Sequence, residues 1–166
     1  MRLLVSLLLL GCIYFTSCST AGEAKDYNDH LIATQTKILP MVTKTDVAIR
    51  EHIINNQMDS VATAAAAMMQ VINTEMIALQ NEKVPSLVGA EDYKKAFVEY
   101  FKYLKNIYTS YKMWGKATTE AARTEAFTLI EKYENQEDDY LRYMQKTQKI
   151  FAEKHHLKVS SSVYNF

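Results

Sequence analysis

Few side chains in this sequence of 166 residues could do chemistry: four histidines, two cysteines and an acidic run from Glu134 to Asp139. A metal held between helices needs two Glu-x-x-His pairs and further carboxylates, all on inward faces. Glu153 and His156 make one such pair, and there is no second. His30 and His52 have no glutamate three residues before them, and His155 falls on a different side of its helix from His156. These spacings read as a solvated helix end, where a histidine suits the negative end of the helix dipole. Haem attachment through Cys-x-x-Cys-His is absent, and Met41, Met68 and Met144 sit where core filler is expected. With four glycines, the chain has no Gly-x-Ser-x-Gly elbow and no phosphate-binding loop. The acidic run lacks the alternating ligands and turn glycine of a calcium loop. No catalytic residue, metal or cofactor is expected, and the run reads as a charged mid-helix face in water.

Two features are less ordinary. Glu137 falls on an apolar stripe, four after Tyr133 and seven before Met144. An unpaired carboxylate is costly to bury, so it must reach a rim, find a tyrosine or histidine partner, or take a proton. A rim position with a packed stem is expected. The second feature is the aromatic load around Phe101 and Tyr108, which widens one helix's apolar arc to about 140° on a 3.6-residue wheel. Such an arc fits a helix wedged between two neighbours, with tyrosine hydroxyls reaching water. It also makes Phe101 and Tyr108 the candidate interaction face, with an aromatic-lined cavity for a small ligand as the alternative.

The elements that carry these residues follow a helical period from Tyr27 onward. A first helix places Tyr27, Leu31, Thr34, Ile38 and Met41 on one face and continues through Val42, Ile49 and Ile53 to Asn55-Asn56. Pro40 lies inside it and predicts a kink or two abutting helices. Asp59 or Ser60 can cap a second helix, with Val61, Ala65, Met68, Ile72, Met76 and Leu79 inward. Its alanine run, Ala64 to Ala67, permits close approach of a neighbour. Val84-Pro85-Ser86 ends it, and Gly89 lies in the loop beyond.

The third helix steps through Tyr93, Phe97, Tyr100, Leu104, Ile107, Tyr111 and Trp114, with Gly115 suited to a left-handed stop. Thr118 or Thr119 can cap a fourth, running Ala122, Ala126, Ile130, Tyr133, Leu141, Met144 and Phe151. Nothing alternates long enough to suggest a strand. The expected fold is all-α, an up-and-down four-helix bundle with its first helix kinked at Pro40.

The N-terminus reads as an address. Arg2 precedes an apolar run from Leu3 to Leu10 broken only by Ser6, and small or polar residues follow at Thr16, Ser17 and Cys18. That order is a secretory signal, too short in its apolar part to span a membrane comfortably. A cysteine just after such a run can accept a lipid on its thiol. Cys12 follows Leu9-Leu10-Gly11 but would leave Ile13-Tyr14-Phe15 at the start of the mature chain. Cys18 is followed at once by the polar Ser19, Thr20, Ala21, Gly22 and Glu23, and is preferred.

The expected organisation is a signal over 1–17, a polar tether over 18–26, a helical bundle over 27–157 and a tail over 158–166. Nineteen basic residues balance nineteen acidic ones. Losing Arg2 with the signal leaves 18 against 19, so no electrostatic footprint for nucleic acid or anionic lipid remains.

Three stretches carry a resemblance: Tyr27-Asn28-Asp29 with Gln35, the run from Ala96 to Tyr103, and Phe151 to His155. They resemble a family of small bacterial surface lipoproteins known from leptospires and widespread in Bacteroidetes, over roughly Asp26 to Val159. The resemblance implies a lipid-anchored helical bundle and carries no catalytic signature. The expected role is a monomeric, non-enzymatic binding or interaction module of the cell envelope. Its partners would be the membrane, through a fatty acyl chain such as palmitate, and an envelope protein, at the outer membrane or cell surface. Radiolabelled fatty acid is expected to enter the wild type and Cys12→Ser but not Cys18→Ser, and the reverse pattern would place the lipid on Cys12.

Overall fold

The computed structural model describes residues 16–158, with side-chain surroundings from Thr20. Residues 1–15 with Cys12, the side chain of Cys18 and the tail from residue 159 lie outside what is described. All elements are helices: α1 Thr16–Ile54, α2 Met58–Asn81, α3 Ala90–Lys116, α4 Glu120–Glu134 and α5 Glu137–Lys154. They form an all-α four-helix bundle in which α4 and α5 together make the fourth arm, with no strand among the described residues. Opposite ends of successive helices meet: His30 of α1 pairs with Glu82 just past α2, and Lys116 of α3 with Asp59 of α2. Tyr93 near the start of α3 stacks on Phe151 near the end of α5 at 5.2 Å. The bundle is therefore up-and-down.

α1 runs unbroken through Pro40, so the chain does not divide there into two abutting helices. The proline is exposed, on the side away from the core, while Tyr27, Leu31, Gln35, Ile38 and Ile49 are buried along the other. Its missing N–H and ring are met where a helix can bow toward solvent. Two positions of the expected stripe differ: Gln35 is buried where Thr34 is expected, and Met41 is exposed while Val42 beside it is half-buried. The stretch expected as a tether is drawn into α1, and Ala24 is fully buried.

α2 buries every residue of its expected stripe. It begins one residue before Asp59, after Gln57, with no side-chain cap. Gly89, at φ 87°, provides the left-handed entry to α3, a conformation glycine adopts without steric cost. Gly115 does not stop α3. It lies inside the helix, buried, where an added Cβ would stand 2.6 Å from the Met58 carbonyl oxygen and 2.7 Å from the Ala62 nitrogen. Glycine there lets α3 press directly on the alanine-rich face of α2.

The expected single fourth helix breaks at Asn135-Gln136, and the acidic run straddles that break. α4 is capped by Thr119, whose hydroxyl accepts from the Ala122 N–H at 3.2 Å. Ala122 itself is exposed, and burial on α4 starts at Ala126.

Gly115→Ala is expected to lower stability by about 1–3 kcal/mol, as overpacking does, outweighing alanine's helix-propensity advantage of roughly 1 kcal/mol. A thermal melt decides the sign. An unchanged or raised midpoint would mean that α2 and α3 part at no cost.

Candidate functional site

α3 sits at the centre of the bundle, packed on α2, α4 and α5, while the backbones of α1 and α5 come close at only a few positions. The seam between α1 and the fourth arm is filled by side chains, and differently at its two ends. Near the start of α1, Tyr27 meets Tyr93 and Phe151 edge-on at 6.4 and 5.9 Å. Asn28 Oδ1 accepts from the Tyr93 hydroxyl and from Gln148 Nε2, both at 3.1 Å. Gln148 is 3% exposed, so its amide is matched by a partner, as a buried polar group requires. That end is closed.

The other end is open. A cleft of about 380 Å³ lies between α1, α3 and the joint of α4 and α5. Val42, Ile49, Leu104 and Ile107 give it apolar walls. Tyr103, Tyr108 and Tyr111 enter from α3, Asp46 and Arg50 from α1, and Glu134 and Glu137 from either side of the joint.

Two tyrosines hold two carboxylates in place. Tyr108 Oη donates to Asp46 Oδ1 at 2.7 Å, and Tyr111 Oη donates to Glu134 Oε1 at 2.8 Å. Burial, and then the charge of Asp46 and the bond to it, keep the Tyr108 phenol protonated far above its ordinary value. Asp46 is itself raised: burial leads, the Tyr108 bond and Arg50 oppose, and Glu134 adds repulsion. The Glu137 carboxyl is raised too, by partial desolvation first and then by Asp46, Asp138 and Glu134. Glu137 is solvent-exposed, so water screens much of that push.

Phe101 and Tyr108, the candidate interaction face, are 0% and 1% exposed. Neither presents a surface: Phe101 is core, and Tyr108 reaches the cleft through its hydroxyl. Glu137 reaches a rim at the cleft mouth, with no tyrosine or histidine bonded to it among the described residues. Glu153 and His156 are both exposed, His156 lying past the end of α5 at φ 55°. Among the described residues, no three His, Cys, Asp or Glu side chains gather to hold a metal.

Sequence reasoning missed Asp46 and Arg50. Asp46 stands between Val42 and Ile49 on the inward face of α1, the same signal of a charge on an apolar stripe that drew attention to Glu137. Neither family models, nor curated proteins, nor solved structures offer a match to this chain.

A carboxyl raised in the folded state binds its proton more tightly there than in the unfolded chain. Its contribution to stability is therefore greatest at acid pH and declines as pH rises from the unfolded value, about 3.9 for aspartate, through the folded one. Asp46→Asn removes this term while Tyr108 keeps an acceptor. The melting midpoint of wild type relative to Asp46→Asn is expected to fall as pH is raised from about 4 toward neutral. A difference that stays flat with pH would show that Asp46 titrates normally.

Proposed function

We propose that this chain is a non-enzymatic binding protein of the bacterial cell envelope. It is held to a membrane by lipid on Cys18, belongs with the surface lipoproteins it resembles, and takes a small ligand in the cleft. The observation that carries the reading is the cleft itself. Its volume of about 380 Å³ lies within the range of small-molecule sites, roughly 300–1,000 Å³. It also combines apolar walls with a few placed polar groups, as such sites do. Its lining among the described residues holds no serine, threonine, cysteine, lysine or histidine. The phenols that lie beside its carboxylates are held protonated, so it suits binding rather than bond-making.

The anchor and the cleft are far apart on one helix. From Cys18 to Asp46, α1 rises about 40 Å at 1.5 Å per residue. The cleft would thus stand well clear of the lipid surface, open to solutes. The reading of a protein-interaction module keeps one observation in its favour. Met113 and Phe127 are 42% and 45% exposed, and the Phe127 ring lies 5.9 Å from that of Trp114.

Ile107 is half-buried on the cleft wall, so Ile107→Trp should fill the space with little cost to the fold. Protein purified from native membranes, then denatured and extracted for mass spectrometry, is expected to release a small molecule that Ile107→Trp does not retain. Equal release from both, or none from either, would overturn the small-ligand reading.

A further inference from the structure

Resting on the small-ligand reading above, we propose that the cleft binds a short linear aliphatic polyamine: two or three ammonium groups joined by methylene chains. Its charge is the first argument. Asp46, Glu134 and Glu137 face a single cation, Arg50, in a chain whose total charge is zero. The lining carries a local excess of two negative charges that a diamine dication cancels.

The second argument is independent of the carboxylates. Tyr103 lines the cleft and is 2% exposed, yet its hydroxyl makes no hydrogen bond among the described residues. Its ring is stacked on Tyr100 at 6.0 Å and on Tyr140 at 4.9 Å. What it offers the cleft is its edge and a phenol oxygen able to accept one N–H and donate one O–H. No fully buried side-chain polar atom among the described residues lacks a partner. This hydroxyl is therefore the part of an otherwise buried side chain that opens to the cleft, where an ammonium nitrogen can donate to it in place of water.

The remaining lining fits the same ligand. Tyr108 and Tyr111 each occupy one oxygen of Asp46 and Glu134. A carboxylate has about four acceptor sites, so each can still receive ammonium protons while being held still. Glu137, without a hydrogen-bonded partner among the described residues and exposed at the mouth, is placed to take the outer ammonium group. Val42, Ile49, Leu104 and Ile107 give the methylenes an apolar bed. Burial is the main cause that raises Asp46 and Glu137; the smaller part that comes from neighbouring carboxylates, Glu134 on Asp46 and Asp46 and Glu134 on Glu137, is relieved by the ligand's charge. The three carboxylates do not gather as metal ligands would; they are spread around the cleft, as an extended cation requires.

The test is isothermal titration calorimetry on the full protein, purified from membranes in nonionic detergent. The probes are 1,4-diaminobutane, spermidine, n-butylamine, 1,4-butanediol and glutarate. Both polyamines are expected to bind at least about tenfold more tightly than butylamine, the worth of one further charge-assisted contact, and the neutral and anionic probes not at all. Glu137→Gln is expected to weaken polyamine binding about tenfold by the same reasoning, and Tyr103→Phe to weaken it with the fold intact by circular dichroism. Glu153→Gln, at the far end of α5, should leave it unchanged.

Polyamine binding that matches butylamine, or that is indifferent to Glu137→Gln and Tyr103→Phe, overturns the proposal. Binding of butanediol or glutarate that Ile107→Trp abolishes, without polyamine binding, overturns the polyamine assignment and leaves the small-ligand cleft standing. No probe binding, together with no small molecule recovered from native protein, overturns both.

Discussion

The structure depends on how far α1 stands from the fourth arm. α3 packs closely on α2 on one side and on α4 and α5 on the other, with Gly115 set against Ala62 and the Met58 carbonyl where α3 ends. α1 packs on α2 but approaches α5 at only a few positions. Large side chains of α3 cross the ground between: Tyr93 reaches Asn28 of α1 and Phe151 of α5, and Tyr108 reaches Asp46 of α1. Whatever fills the seam between α1 and α5 decides what the bundle can do.

The two ends of that seam are filled by different chemistry. At one end, rings meet edge-on and Asn28 gathers two donors, and no buried side-chain polar atom among the described residues is left without a partner. Such a fully matched buried node fixes one arrangement of the helices. At the other end, Tyr108 and Tyr111 spend their hydroxyls on carboxylates from neighbouring helices and leave space between. A phenol donating to a charged acceptor is a stronger bond than one between neutral groups. It can therefore hold the wall of a cleft without needing the cleft to be filled. Rigidity at the closed end and pinned side chains at the open one keep the space from collapsing into ordinary core.

Much of this could be read from residue spacing, and the misses share a cause. α2 and the first half of α3 repeat apolar residues so regularly that a single face is determined, and both buried it as expected. α1 buries Tyr27, Leu31, Ile38 and Ile49 of its expected face and departs from it at two positions, where Gln35 is buried rather than Thr34 and Met41 is exposed. A one-residue choice between adjacent positions depends on which neighbour lies beyond, and periodicity does not carry that. Gly115 suits a helix stop because glycine permits left-handed backbone, whereas its use here is the missing Cβ. The two roles look alike in one dimension. The cleft was half visible: Glu137 stood out as a charge on an apolar face, while Asp46 sat in the same kind of place on α1 between residues already assigned inward.

The break between α4 and α5 shows why those charges can be where they are. A helix continuing through residues 120–154 would have carried Glu137 into the seam in mid-helix, with its carboxylate between apolar neighbours. Interrupting the helix at Asn135-Gln136 instead makes Glu137 the first residue of α5, followed by Asp138 and Asp139 in the same turn. The exposed N–H groups and positive dipole end of a helix favour negative charge there, and the side chain stands at a mouth open to water. The acidic run that looks like a featureless solvated face is thus the feature that starts a new helix. The same break opens the fourth arm opposite Asp46, so the event that relieves Glu137 of burial also turns it toward the cleft. One interruption in the backbone thus brings Glu134 and Glu137, from either side of the joint, to the cleft that Asp46 and Arg50 enter from α1.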